Sequence, residues 1–272
     1  MNILFCGDEN MQKGIYISSL SISHNNSSPI NVYVLTADVE GYKAVPTGFA
    51  EQLETSICRY NKESRVRVIN ISDIFTDYLP KANMNTRFTP LCMLRLFADK
   101  VPEIPNKILY LDGDVLCRKD ISQLYDMDIS QIEIAGVPDR YGKWFFGNIL
   151  KHNYLNSGVL LMNMENIRKS GLFEKCRKMC REEKMFMPDQ TALNKLAVKV
   201  KISPKYNAQG KIKKDTVFKH FTTYFKFLPY FRAVTIKPWD ADKMHTKLKI
   251  YEFDYLLYSL SNFNNLLKES KK

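Results

Sequence analysis

The sequence predicts an α/β fold: one domain in which a Rossmann-like mixed sheet is flanked by helices, with a helical C-terminal extension. Three observations predict it. The first seventy residues alternate strand-like and helix-like segments, the order that builds a parallel, doubly wound sheet. The continuous apolar run Ile108-Leu109-Tyr110-Leu111 suits a strand buried on both faces. Near the C-terminus, Phe253, Leu256, Leu257 and Leu260 recur at helical spacing.

The elements follow in order. Residues 2–6 form a first strand, closed by Gly7-Asp8-Glu9-Asn10, and a helix runs from about Gln12 to His24. Asn25-Asn26-Ser27-Ser28-Pro29 is loop chemistry. Ile30 to Thr36 is a second strand. Phe49, Leu53, Ile57 and Tyr60 mark a helix, and Val66 and Val68, alternating with Arg65 and Arg67, mark a third strand. Residues 73–90 read as loop, and Pro90 opens a helix carrying Leu91, Leu94 and Arg95. Beyond the central run come a strand over Ile132–Val137, an irregular aromatic stretch and a strand over Gly158–Met162. Helices over 164–184 bury Leu172, Phe173, Cys176 and Met179. Pro188 opens a helix with Asp189 and Gln190 in its first turn, a favourable place for an acid.

Size and charge bound the function. The 272 residues, 45% apolar, can bury a large core, and the reading divides them into a domain over 1–240 and its own helical extension over 241–272. No apolar run approaches the ~20 residues of a membrane helix. The chain begins at once with a strand-like segment and lacks a basic leader, so it reads as mature and cytosolic. A net charge of +11 favours acidic partners. No zinc-finger or aromatic RNA-binding motif accompanies it, so nucleic acid is not expected. The basic C-terminal region makes peripheral contact with the inner face of the cell membrane a secondary expectation. Six cysteines without a C-x-x-C pair read as free thiols.

The chemistry centres on Asp112-Gly113-Asp114. In extended chain, alternate residues share a face, so both carboxylates can converge. Gly113 lets the backbone turn close to a ligand. Paired carboxylates at the carboxyl end of a strand make a half-site for a hard divalent cation, and that edge of an open α/β sheet is where ligands bind. An apolar strand ending in D-x-D has two functional meanings. One is the metal–diphosphate site of nucleotide-sugar glycosyltransferases. The other is the nucleophile motif of haloacid-dehalogenase-like, Mg-dependent aspartyl phosphatases, which places the motif near the start of its domain. A basic binding module is a third reading, resting on charge alone.

The motifs of the chain, taken in order, resemble glycosyltransferase family 8, which includes bacterial lipopolysaccharide galactosyl- and glucosyltransferases and, more distantly, glycogenin. Those motifs are Asp8-Glu9-Asn10, Arg95 within Cys92–Leu96, Tyr110-Leu111-Asp112-Gly113-Asp114-Val115-Leu116, Gly136–Asp139, Tyr154–Asn163 with Asn156-Ser157-Gly158, Asp189–Asn194, and His220. Thr86, Phe88 and Thr89 match more loosely. The resemblance implies a GT-A fold, a UDP-sugar donor (UDP-glucose or UDP-galactose), Mn2+ or Mg2+, and retention of configuration. It implies that Asp8 and Asn10 contact the nucleotide, that Arg95, Gly113, Asn156 and Ser157 lie at the donor, and that Asp112, Asp114 and His220 hold the metal. Asp139 would lie near the transferred sugar, and Asp189 and Gln190 near the anomeric carbon. Lys226 takes the position of the diphosphate-contacting lysine. The family's Lys-Pro-Trp, however, stands at Lys237-Pro238-Trp239, eleven residues on, which reads as an insertion that leaves either lysine available. The implied acceptor is a glycan, lipopolysaccharide-like molecule or glycoprotein. The aromatic residues Tyr224, Phe225, Phe227, Tyr230 and Phe231, interleaved with Lys219, Lys226, Arg232 and Lys237, suit a surface that stacks on sugar rings.

Overall fold

The computed structural model describes residues 1–84, 90–141, 153–226 and 232–269; at 224–226, 232 and 264–269 it describes the backbone alone. Thr86, Phe88, Thr89, Phe227, Tyr230 and Phe231 lie outside the described residues, as do the side chains of Tyr224, Phe225 and Lys226.

A seven-stranded sheet organises the chain, in the order β3-β2-β1-β4-β7-β6-β8. Its strands are β1 (Asn2–Cys6), β2 (Asn31–Thr36), β3 (Arg65–Asn70), β4 (Lys107–Leu111), β6 (Ile134–Pro138), β7 (Leu155–Asn163) and β8 (Lys199–Lys201). The pairs β1–β2, β2–β3 and β1–β4 are parallel, as the strand–helix alternation predicts. The second half makes the sheet mixed, because β7 runs antiparallel to both β4 and β6.

Alternation along the inner strands feeds two cores. Leu109 and Leu111 join Ile3 and Phe5 on one face, under helices α1 (Gln12–Asn25) and α2 (Gly48–Ile57). Ile108 and Tyr110 join Leu4 on the other, under Pro90–Lys100 and the helices at 164–196. The result is three layers, with the sheet in the middle. α1 is buried almost all round because the final helix, Asp254–Glu269, covers its outer side. The Tyr16 and Phe263 rings stack there with centroids 4.2 Å apart.

Several boundaries move. Residues 73–90 are not all loop, since Ser72–Asp77 is a short helix that buries Phe75. Tyr60 falls beyond α2 and is exposed, its ring edge-on to His24. Cys180, rather than Met179, completes the buried face of Leu172–Glu182. Pro90–Lys100 winds with the tighter i→i+3 pattern. The strand read as Gly158–Met162 starts earlier, at Leu155, which places Asn156 and Ser157 inside it. All six cysteines are free. Among the described residues, no helix is long and apolar enough to cross a membrane.

Candidate active site

The topology gathers the chemistry at one edge of the sheet. The strand order reverses between β1 and β4, the place where open α/β sheets bind ligands. Asp8 follows β1, Asp112 follows β4 and Asp139 follows β6. β7 is antiparallel, so its beginning, Asn156-Ser157-Gly158, lies at the same edge. The register of β4 on β7 sets Gly158 opposite Asp112, and the Asp112 N–H donates to the Gly158 carbonyl at 2.9 Å. A short ribbon pairs β5 (Val115–Cys117) with β9 (Phe218–His220) and brings His220 beside the acids.

At the centre, one ligand atom each from Asp112, Asp114 and His220 lie within 4.8 Å of one another. His220 Nε2 is 3.1 Å from Asp114 Oδ1 and 3.6 Å from Asp112 Oδ2. Two carboxylates and an imidazole suit Mn2+ or Mg2+ better than a soft metal. The backbone is shaped around this cluster. A Cβ built on Gly158 would sit 2.1 Å from His220 Cε1 and 2.8 Å from Asp112 Oδ2. Only glycine leaves His220 and Asp112 room to converge there. Gly158→Ala is therefore expected to weaken Mn2+ binding at least tenfold, with an overpacking cost of about 1–3 kcal/mol. Isothermal titration with Mn2+ alongside thermal melting checks this, and an alanine variant that binds Mn2+ like the parent would refute it.

Lys237 completes this end of the site. Its Nζ lies 2.7 Å from Asp114 Oδ2. Burial disfavours the ammonium, but Asp114 more than offsets that and raises the lysine's pKa. In turn, burial pushes the Asp114 carboxyl up, while His220 and Lys237 outweigh it and hold the group far below the usual carboxylate range. The insertion explains how Lys237 gets there. Tyr224–Lys226 pairs antiparallel with Arg232–Val234, and the Thr223 and Thr235 hydroxyls meet at 2.6 Å at the base of this hairpin. The excursion closes on itself and returns the chain to Lys237-Pro238-Trp239. Trp239 then packs near the acidic turn: a Cβ on Gly14 would lie 2.4 Å from the Gly113 carbonyl oxygen and 2.8 Å from the Trp239 ring.

Arg95 is 4% exposed and braces the acids from behind. It lies 3.1 Å from Asp112 Oδ1 and 3.2 Å from Asp189 Oδ2, and it donates to the Ser157 carbonyl at 2.6 Å. Its guanidinium stacks 3.9 Å above the Tyr110 ring. Burial works against its charge, but Tyr110, Asp189 and Asp112 more than compensate. The donors expected to face the ligand are thus engaged with protein acceptors. Burial keeps the Tyr110 hydroxyl protonated, and it donates to Asp112 Oδ1 at 2.7 Å. Burial raises the Asp189 pKa against the opposing pull of Arg95.

The other end of the cleft is an amide–carboxylate cluster. The Gln190 Oε1 accepts from the Ser157 N–H at 2.8 Å and from its hydroxyl at 3.2 Å. Its Nε2 faces Asp139 Oδ2 at 3.4 Å, which also accepts from Asn156 Nδ2 at 2.9 Å. Asp8 receives the Asn10 N–H at 3.2 Å and its Nδ2 at 2.9 Å, an Asx turn capping residues 9–11. A cleft of about 450 Å³ joins both ends, and its walls include Asp8, Asn10, Asp112, Asp139, Gln190 and Lys237. Every predicted site residue whose side chain is described thus lies in or beside one cleft. Sequence reading passed over Asn207, whose Oδ1 lies 3.0 Å from His220 Nδ1, and the bracing hydroxyl of Tyr110.

Comparison with known proteins agrees with this geometry. The lipopolysaccharide 1,2-glucosyltransferase of Escherichia coli is 24% identical over 97% of this chain and 80% of its own length. General stress protein A of Bacillus subtilis is 23% identical over 96% of this chain and 95% of its own length. Among solved structures, the galactosyltransferase LgtC in complex with donor and acceptor sugar analogues superposes with a TM-score of 0.67 at 18% identity, covering 95% of this chain and 96% of that one. An active-site mutant of LgtC superposes with a TM-score of 0.70 at 18% identity, covering 96% and 95%. These neighbours identify the mixed sheet flanked by helices as the GT-A fold. The family model for glycosyl transferase family 8 matches residues 2–243. That span contains every motif from Asp8 to Lys237 and displaces the phosphatase alternative: the chain belongs to glycosyl transferase family 8 and is a glycosyltransferase.

Proposed function

We propose that this glycosyltransferase moves a hexose, glucose or galactose, from a UDP-sugar to a glycan, lipopolysaccharide-like or glycoprotein acceptor, with a divalent cation and with retention at the anomeric carbon. The observation that carries the proposal is the pairing, in one cleft of about 450 Å³, of an Asp–Asp–His cluster that could hold a cation with an amide–carboxylate cluster. Asp112, Asp114 and His220 fit Mn2+ or Mg2+ and would hold it. When bound, the cation neutralises charge on the departing diphosphate as a Lewis acid. Lys237 adds a second positive group at the same end, with Lys226 the other candidate by sequence position. Asp8 and Asn10 line the same cleft, and a uracil and ribose would lie against them. Asp139 and Gln190, steadied by Asn156 and Ser157, face the sugar end, and an oxocarbenium-like transition state gains from their partial charges. Asp189 acts from behind Arg95. Residues 1–240 serve as the catalytic domain and 241–272 as its helical extension, working in the cytoplasm or at the inner face of the membrane.

The test is initial-rate release of UDP from UDP-glucose and UDP-galactose, with Mn2+ and with chelator, followed by NMR of the product linkage. An α-linked product from a UDP-α-sugar is expected. A β-linked product would rule out retention, and undiminished turnover after exhaustive chelation would rule out the metal.

A further inference from the structure

A chain of buried side-chain amides connects an obligatory backbone donor to the metal-facing histidine. The Gly158 N–H can only donate, and it lies 3.0 Å from Asn156 Oδ1. That contact orients the Asn156 amide, whose Nδ2 accordingly meets the Asp139 carboxylate at 2.9 Å. Asn156 Oδ1, an acceptor, is also 2.8 Å from Asn207 Nδ2, so Asn207 must present its NH2 there. Its remaining atom, Oδ1, is then turned on His220 Nδ1 at 3.0 Å. An amide oxygen can only accept, so Nδ1 must carry a proton, and Nε2 is the nitrogen left for a cation. The opposite assignment fails at each link. A bare Nδ1 would face a carbonyl oxygen; flipping Asn207 would set two oxygens together at Asn156; flipping Asn156 would aim an NH2 at the Gly158 N–H and an oxygen at Asp139. Asn207 is 2% exposed, so water does not relieve these conflicts.

We propose that Asn207 is the positioning residue of the site: it holds His220 with Nδ1 protonated and Nε2 aimed between Asp112 and Asp114. It relays an orientation set by the Gly158 backbone through Asn156. The same relay joins the metal end of the cleft to Asp139 at the sugar end. This inference rests on the reading of Asp112, Asp114 and His220 as metal ligands. Outer-shell partners of ligating histidines fix the tautomer and strengthen the ligand, and their loss typically costs about 10–100-fold in metal affinity.

The test uses protein labelled with 15N histidine. The chain has four histidines, few enough to assign by substituting the other three. Long-range 1H–15N spectra should show a proton on His220 Nδ1 in both the metal-free and the Mg2+-loaded protein. A bare Nδ1 in either state overturns the proposal. Asn207→Ala should weaken Mn2+ binding about 10–100-fold. Asn207→Asp still accepts from Nδ1 but sets a carboxylate oxygen against Asn156 Oδ1, so it should recover only part of that loss. A lowered melting temperature with unchanged Mn2+ affinity in the alanine variant would reduce Asn207 to a structural role and overturn the proposal. If the alanine variant does not fold, Asn207→Asp decides on the ring proton: a proton kept on Nδ1 supports residue 207 as its acceptor, and a bare Nδ1 refutes it. A parent protein that binds no Mn2+ would instead tell against the metal reading, which the ring-proton measurement on metal-free protein keeps separate.

Discussion

Asp112→Asn and Asp114→Asn are each expected to lower sugar transfer by about three orders of magnitude while the protein stays folded. The size follows from the chemistry. A cation stabilises a departing diphosphate by several kcal/mol, and each ~1.4 kcal/mol is a factor of ten in rate. An amide keeps the shape of the carboxylate but removes the anionic ligand. At position 114 it also takes away the partner of Lys237, 2.7 Å from its ammonium. At position 112 it leaves Arg95 still paired with Asp189, so the brace survives. Rates of UDP release across a Mn2+ titration, with circular dichroism melts on the same samples, check both claims. Rates within tenfold of the parent at saturating Mn2+ would remove the two acids from the metal site.

Arg95→Met should have the largest effect on stability. The guanidinium sits between Asp112 and Asp189 and is itself buried. Methionine fills similar volume but leaves the Asp189 carboxylate buried without its cation. Breaking a buried pair from one side costs about 3–5 kcal/mol, which for a chain of this size lowers the melting temperature by roughly 10 °C. Arg95→Lys should recover only part of this, because an ammonium cannot reach two carboxylates, the Ser157 carbonyl and the Tyr110 face from one position. Thermal melts of the two variants decide the matter. A methionine variant as stable as the parent would mean that Asp189 takes up its proton at little cost.

The pattern of what was readable follows from how each feature is encoded. The β1-to-β3 alternation and the run at 108–111 are local, so composition and periodicity reveal them. Asp112, Asn156, Asp189 and His220 each stand in a short motif, and their order along the chain marks them as one constellation before any distance is known. The antiparallel placement of β7 is a pairing choice, invisible to a pattern of single residues. So is the fate of Arg95. Its position beside the cleft is legible, but only the fold shows that its donors face Asp112, Asp189 and the Ser157 carbonyl. Tyr110 looks like core in an apolar run, and it is core, except for a hydroxyl at the sheet edge. Asn207 lies in a Lys-rich stretch with no motif, and its meaning depends wholly on contacts to residues 51 positions earlier and 13 later.

The hairpin that returns the chain to Lys237 has a further consequence for how such sequences are aligned and altered. Because its two arms pair with each other and its base is tied at Thr223 and Thr235, residues past Thr235 are placed by the pairing and not by the number of residues between. Counting forward from His220 leads to Lys226, whereas following the ladder leads to Lys237. An affinity tag or a foreign recognition peptide spliced between Lys226 and Arg232 should leave the Lys237–Asp114 contact in place. That makes this locus the natural handle for immobilising the enzyme or for giving it a new address.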